Sequence, residues 1–113
     1  MNDCIFCKII AGEIPSTKVF ENEDMVIIKD LNPQAKIHLL ILPKKHYANI
    51  GELAVNDADL LKRCFSAFAG LTEELGLQNG YRLITNKGDD GCQSVNHIHI
   101  HILGGEKLAE KMG

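Results

Sequence analysis

Residues 97–102 read HIHIHI, an alternation of three histidines with three isoleucines. Successive side chains of a β-strand point to opposite faces, so the pattern predicts the imidazoles of His97, His99 and His101 on one face and the isoleucines on the other, packed inward. Successive histidine Cα atoms are then about 6.6 Å apart, and the outer pair about 13 Å. A merely solvated strand face would carry Thr, Lys, Glu or Ser equally well. The repeated histidine therefore favours a functional site over a plain polar face.

Two kinds of chemistry fit such a row of imidazoles. Two or three rings can converge on one catalytic metal ion that keeps a water in its open position, as in a zinc-dependent hydrolase. Alternatively, the middle ring can attack a phosphorus atom, provided that a neighbour holds its other nitrogen and fixes the tautomer. The pattern alone leaves both interpretations open.

The rest of the sequence predicts an α+β fold with a five-stranded, mostly antiparallel sheet, a short N-terminal helix and one long helix. Ile5, Phe6, Ile9 and Ile10 recur at helical spacing. A 3.6-residue apolar period from residue 56 to residue 75 predicts the long helix, with Asn56 as its N-cap and Gly76 as its end. Alternating or β-branched runs between turn residues predict five strands, at residues 18–21, 25–30, 37–42, 81–85 and 95–103.

Composition limits the class of protein. The chain has 113 residues, of which 45% are hydrophobic, and a formal net charge of −3. This size fits one compact domain, and the charge gives no support to a broad nucleic-acid surface. No apolar run approaches the roughly 20 residues of a membrane span. Because the first ten residues lack the pattern of a secretory signal, we expect a cytoplasmic protein whose four cysteines are reduced, buried or metal-bound.

Cys4 and Cys7 form a C-x-x-C pair close to the start of the chain. Two thiolates at this spacing, with histidines elsewhere, suit a tetrahedral zinc site. Two buried thiols or a disulfide between them are the alternatives. A redox motif is disfavoured because no predicted strand precedes Cys4.

Residues 93–103, QSVNHIHIHIL, resemble the His-φ-His-φ-His-φ-φ signature of the histidine triad (HIT) family, in which φ is an apolar residue. Further stretches that resemble the family are CIFCKII at 4–10, EIP at 13–15, DLNPQA at 30–35, HLLILPKKH at 38–46 and GYRLI at 80–84. The resemblance covers nearly the whole chain, and it is strongest to the histidine triad nucleotide-binding branch. It implies a single HIT domain over residues 1–113 and a homodimer whose two sheets align across the long helix. Leu60 and Phe68 on that helix could serve the core or the dimer.

The family resemblance also assigns a reaction, the hydrolysis of purine nucleoside phosphoramidates to a nucleoside 5′-monophosphate and an amine. His99 matches the nucleophile that forms a covalent nucleotidyl intermediate, and no catalytic metal is expected. The other positions that match the triad, its partner or the phosphate contacts are His97, His101, His38, Ser94, Gln93 and Asn86.

Matches to the family's nucleoside site lie earlier in the chain. Asp30 matches a ribose contact, although an Asp beside Asn-Pro is by itself more typical of a turn. The apolar slot for the purine is matched by Ile5, Phe6, Ile9, Ile28 and Leu31. Judged from spacing alone, these apolar residues are core residues.

The resemblance suggests a ligand set for the C-x-x-C pair. In some bacterial members the matching cysteines bind zinc together with histidines that match His46 and His97. All four positions are filled here. Four protein ligands leave no open position, so we expect a structural zinc ion that ties the N-terminal helix to the triad strand and removes His97 from direct chemistry.

Other functions stay open at the level of sequence. HIT branches also act on dinucleoside polyphosphates or transfer nucleotides to sugars, and a non-catalytic nucleotide-binding or scaffold role is a further alternative. Two residues depart from the family pattern: Cys92 stands where Gly is usual, and Asn96 where an aromatic residue is common. Both lie shortly before the triad, and neither departure removes a catalytic group.

Overall fold

The computed structural model describes residues 4–112. The elements, in chain order, are α1 Ile5–Ile10, β1 Lys18–Glu21, β2 Met25–Lys29, β3 Ile37–Pro43, α2 Ile50–Asn56, α3 Ala58–Ala69, β4 Tyr81–Ile84 and β5 Ile100–Gly104. The strands form one five-stranded sheet in the order β1-β2-β3-β5-β4, and every neighbouring pair is antiparallel. The predicted α+β fold with a five-stranded antiparallel sheet is confirmed.

Both faces of the sheet are covered. One face packs against α2 and α3, and Ile98, Ile100 and Ile102 belong to this core, as the alternation predicted. The other face packs against α1, whose Phe6 and Ile9 contact residues of β2 and β3. The triad histidines lie on the α1 side, since the Phe6 ring contacts both His97 and His99. The histidine face is therefore covered by a helix, and a plain solvated face is excluded.

The long helix predicted at residues 56–75 is α3, which is shorter, Ala58–Ala69, and a second helix, α2, directly precedes it. The unpredicted α2 starts after Asn49, whose side chain accepts the Glu52 N–H at 3.0 Å and caps the helix. Asn56 is the last residue of α2 instead of a cap. Asp57, with φ −153°, then separates α2 from α3.

The end of the helical region also differs from the prediction. α3 stops at Ala69 and is followed by turns, and Gly76, with φ +78°, lies at the end of this turn segment. Leu71 and Leu75 in these turns still pack against the same core as the helix does. This shared packing extends the apolar period beyond the helix. Leu60 and Phe68 are 3% and 1% exposed, so within this chain they are core residues.

The last strand is shorter at its start than the predicted 95–103. β5 pairs with β3 from Ile100 opposite Ile41 to Gly104 opposite Ile37. Continuing this register would place Pro43, which has no N–H to donate, opposite Ile98, so the ladder stops. The N–H of Ile98 donates instead to the carbonyl of Tyr47 at 2.7 Å. The remaining strand bounds agree with the predictions within one residue.

Between residues 4 and 112, none of the helices is both long enough and apolar enough to span a membrane.

Candidate active site

His99 lies just before β5, and one of its ring nitrogens is engaged in a hydrogen bond within the protein. Its Nδ1 is 2.8 Å from the carbonyl oxygen of His97. A carbonyl oxygen can only accept, so Nδ1 carries the ring proton and Nε2 keeps its lone pair. Within residues 4–112, Nε2 forms no hydrogen bond, and it is not among the buried polar atoms that lack a partner. His99 thus offers a nucleophilic nitrogen to a ligand, although its side chain is only 5% exposed.

His101 is oriented by a chain of hydrogen bonds. The backbone N–H of Gln34 donates to His38 Nδ1 at 2.9 Å, so the proton of His38 lies on Nε2. His38 Nε2 then donates to His101 Nδ1 at 2.9 Å. The proton of His101 is consequently on Nε2, next to His99, whose ring centroid is 5.3 Å from that of His101. A lone pair on His99 and an N–H on His101 are therefore presented side by side.

The ionisation of His101 is shifted by its surroundings. Burial lowers its pKa from the ordinary value, and the neighbouring rings of His99 and His38 lower it further, whereas the Asp30 carboxylate opposes the shift. Asp30 Oδ2 lies 3.4 Å from His38 Nε2 and 3.9 Å from His101 Nδ1. Near neutral pH His101 is uncharged, which is the form that the hydrogen-bond chain requires.

Asp30, His38 and His101 also bring potential metal ligands together. The Gln34 N–H occupies the lone pair of His38 Nδ1, which leaves Nε2 protonated. A protonated nitrogen cannot coordinate a metal ion. This group is accordingly a proton-carrying chain and not a metal site.

A second cluster consists of Cys4, Cys7, His46 and His97, whose potential ligand atoms all lie within 4.8 Å of one another. His97 Nδ1 is 3.3 Å from Cys4 Sγ, 3.4 Å from Cys7 Sγ and 3.1 Å from His46 Nδ1. A tetrahedral ion with ordinary Zn–N and Zn–S bonds separates its ligand atoms by about 3.3 to 3.8 Å. The four residues therefore have the spacing of one metal site.

The hydrogen bonds around His97 also fit a bound cation. His97 is fully buried, and its Nε2 donates to the carbonyl of Pro43 at 2.8 Å. Its Nδ1 lone pair then faces the Nδ1 of His46 and two sulfurs, a group of electron-pair donors that one positive ion would satisfy. Burial and the neighbouring histidines lower the pKa of His97, which keeps it in the neutral, ligating form.

The N-terminal helix brings the two cysteines to this cluster. Cys4 is the N-cap of α1, and its sulfur accepts the backbone N–H of Cys7 at 3.2 Å. The first helical turn places Cys7 beside it, 3.3 Å from His46 Nδ1. The C-x-x-C spacing is thus built by a capped helix turn.

The loop before the triad contains three residues predicted to bind the nucleotide. The Gln93 side chain is used within the protein: its amide N–H groups donate to the carbonyls of Ala48 (2.7 Å) and Val95 (2.9 Å), and its oxygen accepts the Gly88 N–H at 3.1 Å. Gln93 therefore fixes the loop. Ser94 is exposed and Asn86 is half-buried.

The residues predicted to hold the nucleoside are in unequal environments. Asp30 Oδ1 accepts the Asn32 N–H at 2.8 Å, the bond of a turn that its sequence context also predicted. Leu31 on this turn is 99% exposed, and Ile5 on α1 is 44% exposed. In contrast, the other three predicted slot residues belong to the core on the α1 side of the sheet: Phe6, Ile9 and Ile28.

Comparisons with known proteins agree with this geometry. A family model described as "Scavenger mRNA decapping enzyme C-term binding" matches residues 3–113. An uncharacterized HIT-like protein of Chlamydia muridarum is 45% identical over 104 residues, which cover 92% of this chain and 82% of the relative. The chain belongs to the HIT family.

A HIT family hydrolase from Clostridium thermocellum superposes with a TM-score of 0.91 at 44% identity, covering 99% of this chain and 98% of the other. A histidine triad nucleotide-binding protein from Candida albicans superposes with a TM-score of 0.80 at 34% identity, covering 98% of this chain and 87% of the other. The HIT fold therefore extends over essentially the whole described chain.

Several groups that build this HIT site were missed by sequence reasoning. The carbonyls of His97, Pro43 and Tyr47 and the N–H of Gln34 are main-chain groups, which no side-chain pattern reveals. Thr85 was missed as well: its hydroxyl donates to the carbonyl of His99 at 2.9 Å. Its position directly after β4, the strand that pairs with β5, is the signal that could have found it.

Proposed function

We propose that this HIT protein hydrolyses purine nucleoside 5′-phosphoramidates to the nucleoside monophosphate and an amine. The observation that carries the proposal is the pair of tautomers, with a lone pair on His99 Nε2 and a proton on the neighbouring His101 Nε2. The names of the two similar structures, a hydrolase and a nucleotide-binding protein, support the same reaction class.

The first step transfers the nucleotidyl group to the protein. His99 Nε2 attacks the α-phosphorus, a phosphorus–nitrogen bond forms, and the bond between phosphorus and the leaving amine breaks. The amine nitrogen keeps the electron pair of that bond and takes a proton from solvent, while the Nε2–H of neutral His101 donates a hydrogen bond to the leaving nitrogen as the electron pair develops there. The His99 ring becomes positively charged, and the His97 carbonyl, 2.8 Å from Nδ1, stabilises this charge.

The second step releases the monophosphate. A water molecule attacks phosphorus, the bond to His99 Nε2 breaks, and the ring recovers its lone pair. The attacking water gives its proton to the solvent, and His101 keeps its Nε2 proton throughout. Both rings therefore end the cycle in their starting protonation states.

We assign the substrate contacts by the family resemblance. Ser94 and Asn86 would donate to phosphate oxygens, and Asp30 Oδ2 would accept from ribose, since Asp30 Oδ1 is engaged by Asn32. The purine would lie against the exposed apolar side chains of Ile5 and Leu31. Gln93 would act indirectly, by holding the loop that carries Ser94.

We further propose that the cluster of Cys4, Cys7, His46 and His97 binds zinc. Two sulfur and two imidazole ligands match the preference of Zn²⁺, whereas Mg²⁺ and Ca²⁺ prefer oxygen. Four protein ligands would make it a structural ion that holds elements together. No step of the reaction is assigned to it.

Three further properties complete the proposal: residues 1–113 as a single HIT domain, a homodimer and a cytoplasmic location. The match of the family model to residues 3–113 supports the single domain. Because Leu60 and Phe68 are buried in the core, a dimer contact along α3 would use its exposed side chains instead.

A substrate panel tests the proposal. We expect turnover of an adenosine or guanosine phosphoramidate in the presence of a chelator of free metal ions, and a loss of about 10⁴-fold in kcat for His99→Gly. Preferred turnover of a dinucleoside polyphosphate would reassign the substrate class. Binding of a monophosphate without any turnover would favour a scaffold, and near-full activity of His99→Gly would contradict the proposal.

A further inference from the structure

His97 takes part in two arrangements: the cluster of Cys4, Cys7, His46 and His97, and the hydrogen bond that fixes the ring of His99. Its ring contributes Nδ1 to the group of metal ligands, within 3.4 Å of both sulfurs. Its backbone carbonyl, in the same residue, accepts the Nδ1–H of His99 at 2.8 Å. The hydrogen bond that fixes the tautomer of His99 is therefore accepted by the backbone of His97, whose ring faces the other potential metal ligands.

The sheet gives little support to this residue. The ladder of β5 begins at Ile100, so His97 and His99 precede it. The stretch 43–47 holds His97 and Ile98: the Pro43 carbonyl accepts from His97 Nε2 at 2.8 Å, and the Tyr47 carbonyl accepts from the Ile98 N–H at 2.7 Å. The same stretch carries His46. An ion bound by His46 and His97 would add a third link between the two segments.

A second path leads through α1. Phe6 lies between the two cysteines, and its ring packs edge-on against His99 with centroids 4.9 Å apart and against His97 at 6.1 Å. Fixing Cys4 and Cys7 would therefore also fix the aromatic surface beside the nucleophile.

We propose that a metal ion in this cluster positions the catalytic nucleophile: by holding the His97 carbonyl and Phe6, it keeps His99 in the tautomer with the proton on Nδ1. The role of His99 in catalysis rests on the proposed function, but the coupling itself does not. Cys4, Cys7 and His46 are then positioning residues that act through His97. Losing the ion should lower kcat about 10-fold or more and leave KM within about twofold, the scale of effects seen when the surroundings of a site residue are lost.

The test follows the tautomer of His99 directly. The full chain is labelled with ¹⁵N-histidine, loaded with one equivalent of Zn²⁺ and then stripped with a chelator. Long-range ¹H–¹⁵N correlations distinguish the two neutral tautomers, and His99→Gln assigns the signal. We expect a single Nδ1–H form in the loaded protein and a mixture of tautomers after stripping, with the amide signals of β2 and β3 unchanged.

A matched pair of variants separates the metal from the helix cap. In Cys4→Ser, a serine keeps an oxygen acceptor for the Cys7 N–H and so preserves the N-cap, but serine is a poor zinc ligand. Cys92→Ser removes an exposed thiol outside the cluster. We expect mixed tautomers at His99 in the first variant and the wild-type signal in the second.

Two results would overturn the coupling. One is an unchanged His99 tautomer in stripped protein whose metal content is zero. The other is loss of the β2 and β3 amide signals on stripping, because the ion would then hold the fold as a whole. A protein that turns over no phosphoramidate would contradict the proposed function, while the tautomer measurement would still decide the coupling.

Discussion

At the scale of single residues, main-chain groups set the protonation of the site. The His97 carbonyl places the proton of His99 on Nδ1, and the Gln34 N–H places that of His38 on Nε2. Both groups belong to the main chain. His38 Nε2–H in turn donates a hydrogen bond to His101 Nδ1. The backbone geometry of two short segments therefore decides which nitrogen attacks and which donates.

The shifted pKa of His101 gives a prediction about pH. Because burial and the neighbouring rings lower it, His101 should stay neutral as the pH falls through 6.5, the ordinary histidine value. An unfolded chain binds that proton at a higher pH, so the contribution of His101 to stability is constant above pH 6.5 and declines below it. An NMR titration of the His101 ring checks the sign, and a midpoint at or above 6.5 would contradict it.

Cys92 gives a second prediction at this scale. It has φ +58°, the left-handed region that favours glycine, which accounts for the glycine usual at this position in the family. We expect Cys92→Gly to leave the free energy of unfolding unchanged or to raise it by up to about 1 kcal/mol. Cys92→Val should lower it by about 1 to 2 kcal/mol, since a β-branched residue tolerates this backbone least. Urea unfolding measures both, and equal stability of the two variants would exclude backbone strain.

At the scale of elements, the sequence predicted what alternation and periodicity can encode. The helix Ile5–Ile10 and four strands lie where the patterns placed them, within one residue. The failures have local causes. Pro43 ends the ladder that alternation would have continued, and Leu71 and Leu75 pack like helix residues from turns. The cap at Asn49 starts α2, and the non-helical backbone of Asp57 separates α2 from α3; no apolar period reports either feature.

The missed helix can be tested through its cap. Asn49→Ala removes the acceptor of the Glu52 N–H and should cost about 1 kcal/mol of unfolding free energy. Asn56→Ala is the matched control at the other end of α2, where the exposed amide donates to the Glu52 carbonyl; it should cost less than about 0.5 kcal/mol. Chemical denaturation compares them, and an equal or reversed order would contradict the capping assignment.

At the scale of the whole molecule, the metal-ligand cluster joins parts that are distant in the sequence. It connects the first turn of α1, the stretch after β3 and the segment before β5, through residues 4, 7, 46 and 97. Sequence resemblance named these four residues, and the structure brings their potential ligand atoms within 4.8 Å of one another. The link from His97 to His99 could not be predicted, because it passes through a carbonyl whose direction depends on the packing of all three segments.

Metal removal should therefore lower global stability. With free Zn²⁺ at about 1,000 times its dissociation constant, the bound ion would contribute about 4 kcal/mol to unfolding. We expect a chelator to lower the melting temperature of the wild type and of Cys92→Ser, and to have little effect on Cys4→Ser. A chelator effect of equal size on Cys4→Ser would show that the stabilising ion binds elsewhere.

The most direct measurement of the central claim is to trap the covalent state. An adenosine phosphoramidate is mixed with the protein, the reaction is quenched rapidly under conditions where breakdown limits turnover, and the chain is weighed and mapped by mass spectrometry. We predict a chain heavier by one adenosine monophosphate, attached to His99, and no such adduct in His99→Gly. Turnover without any adduct under these conditions, or an adduct on another side chain, would contradict nucleophilic attack by His99.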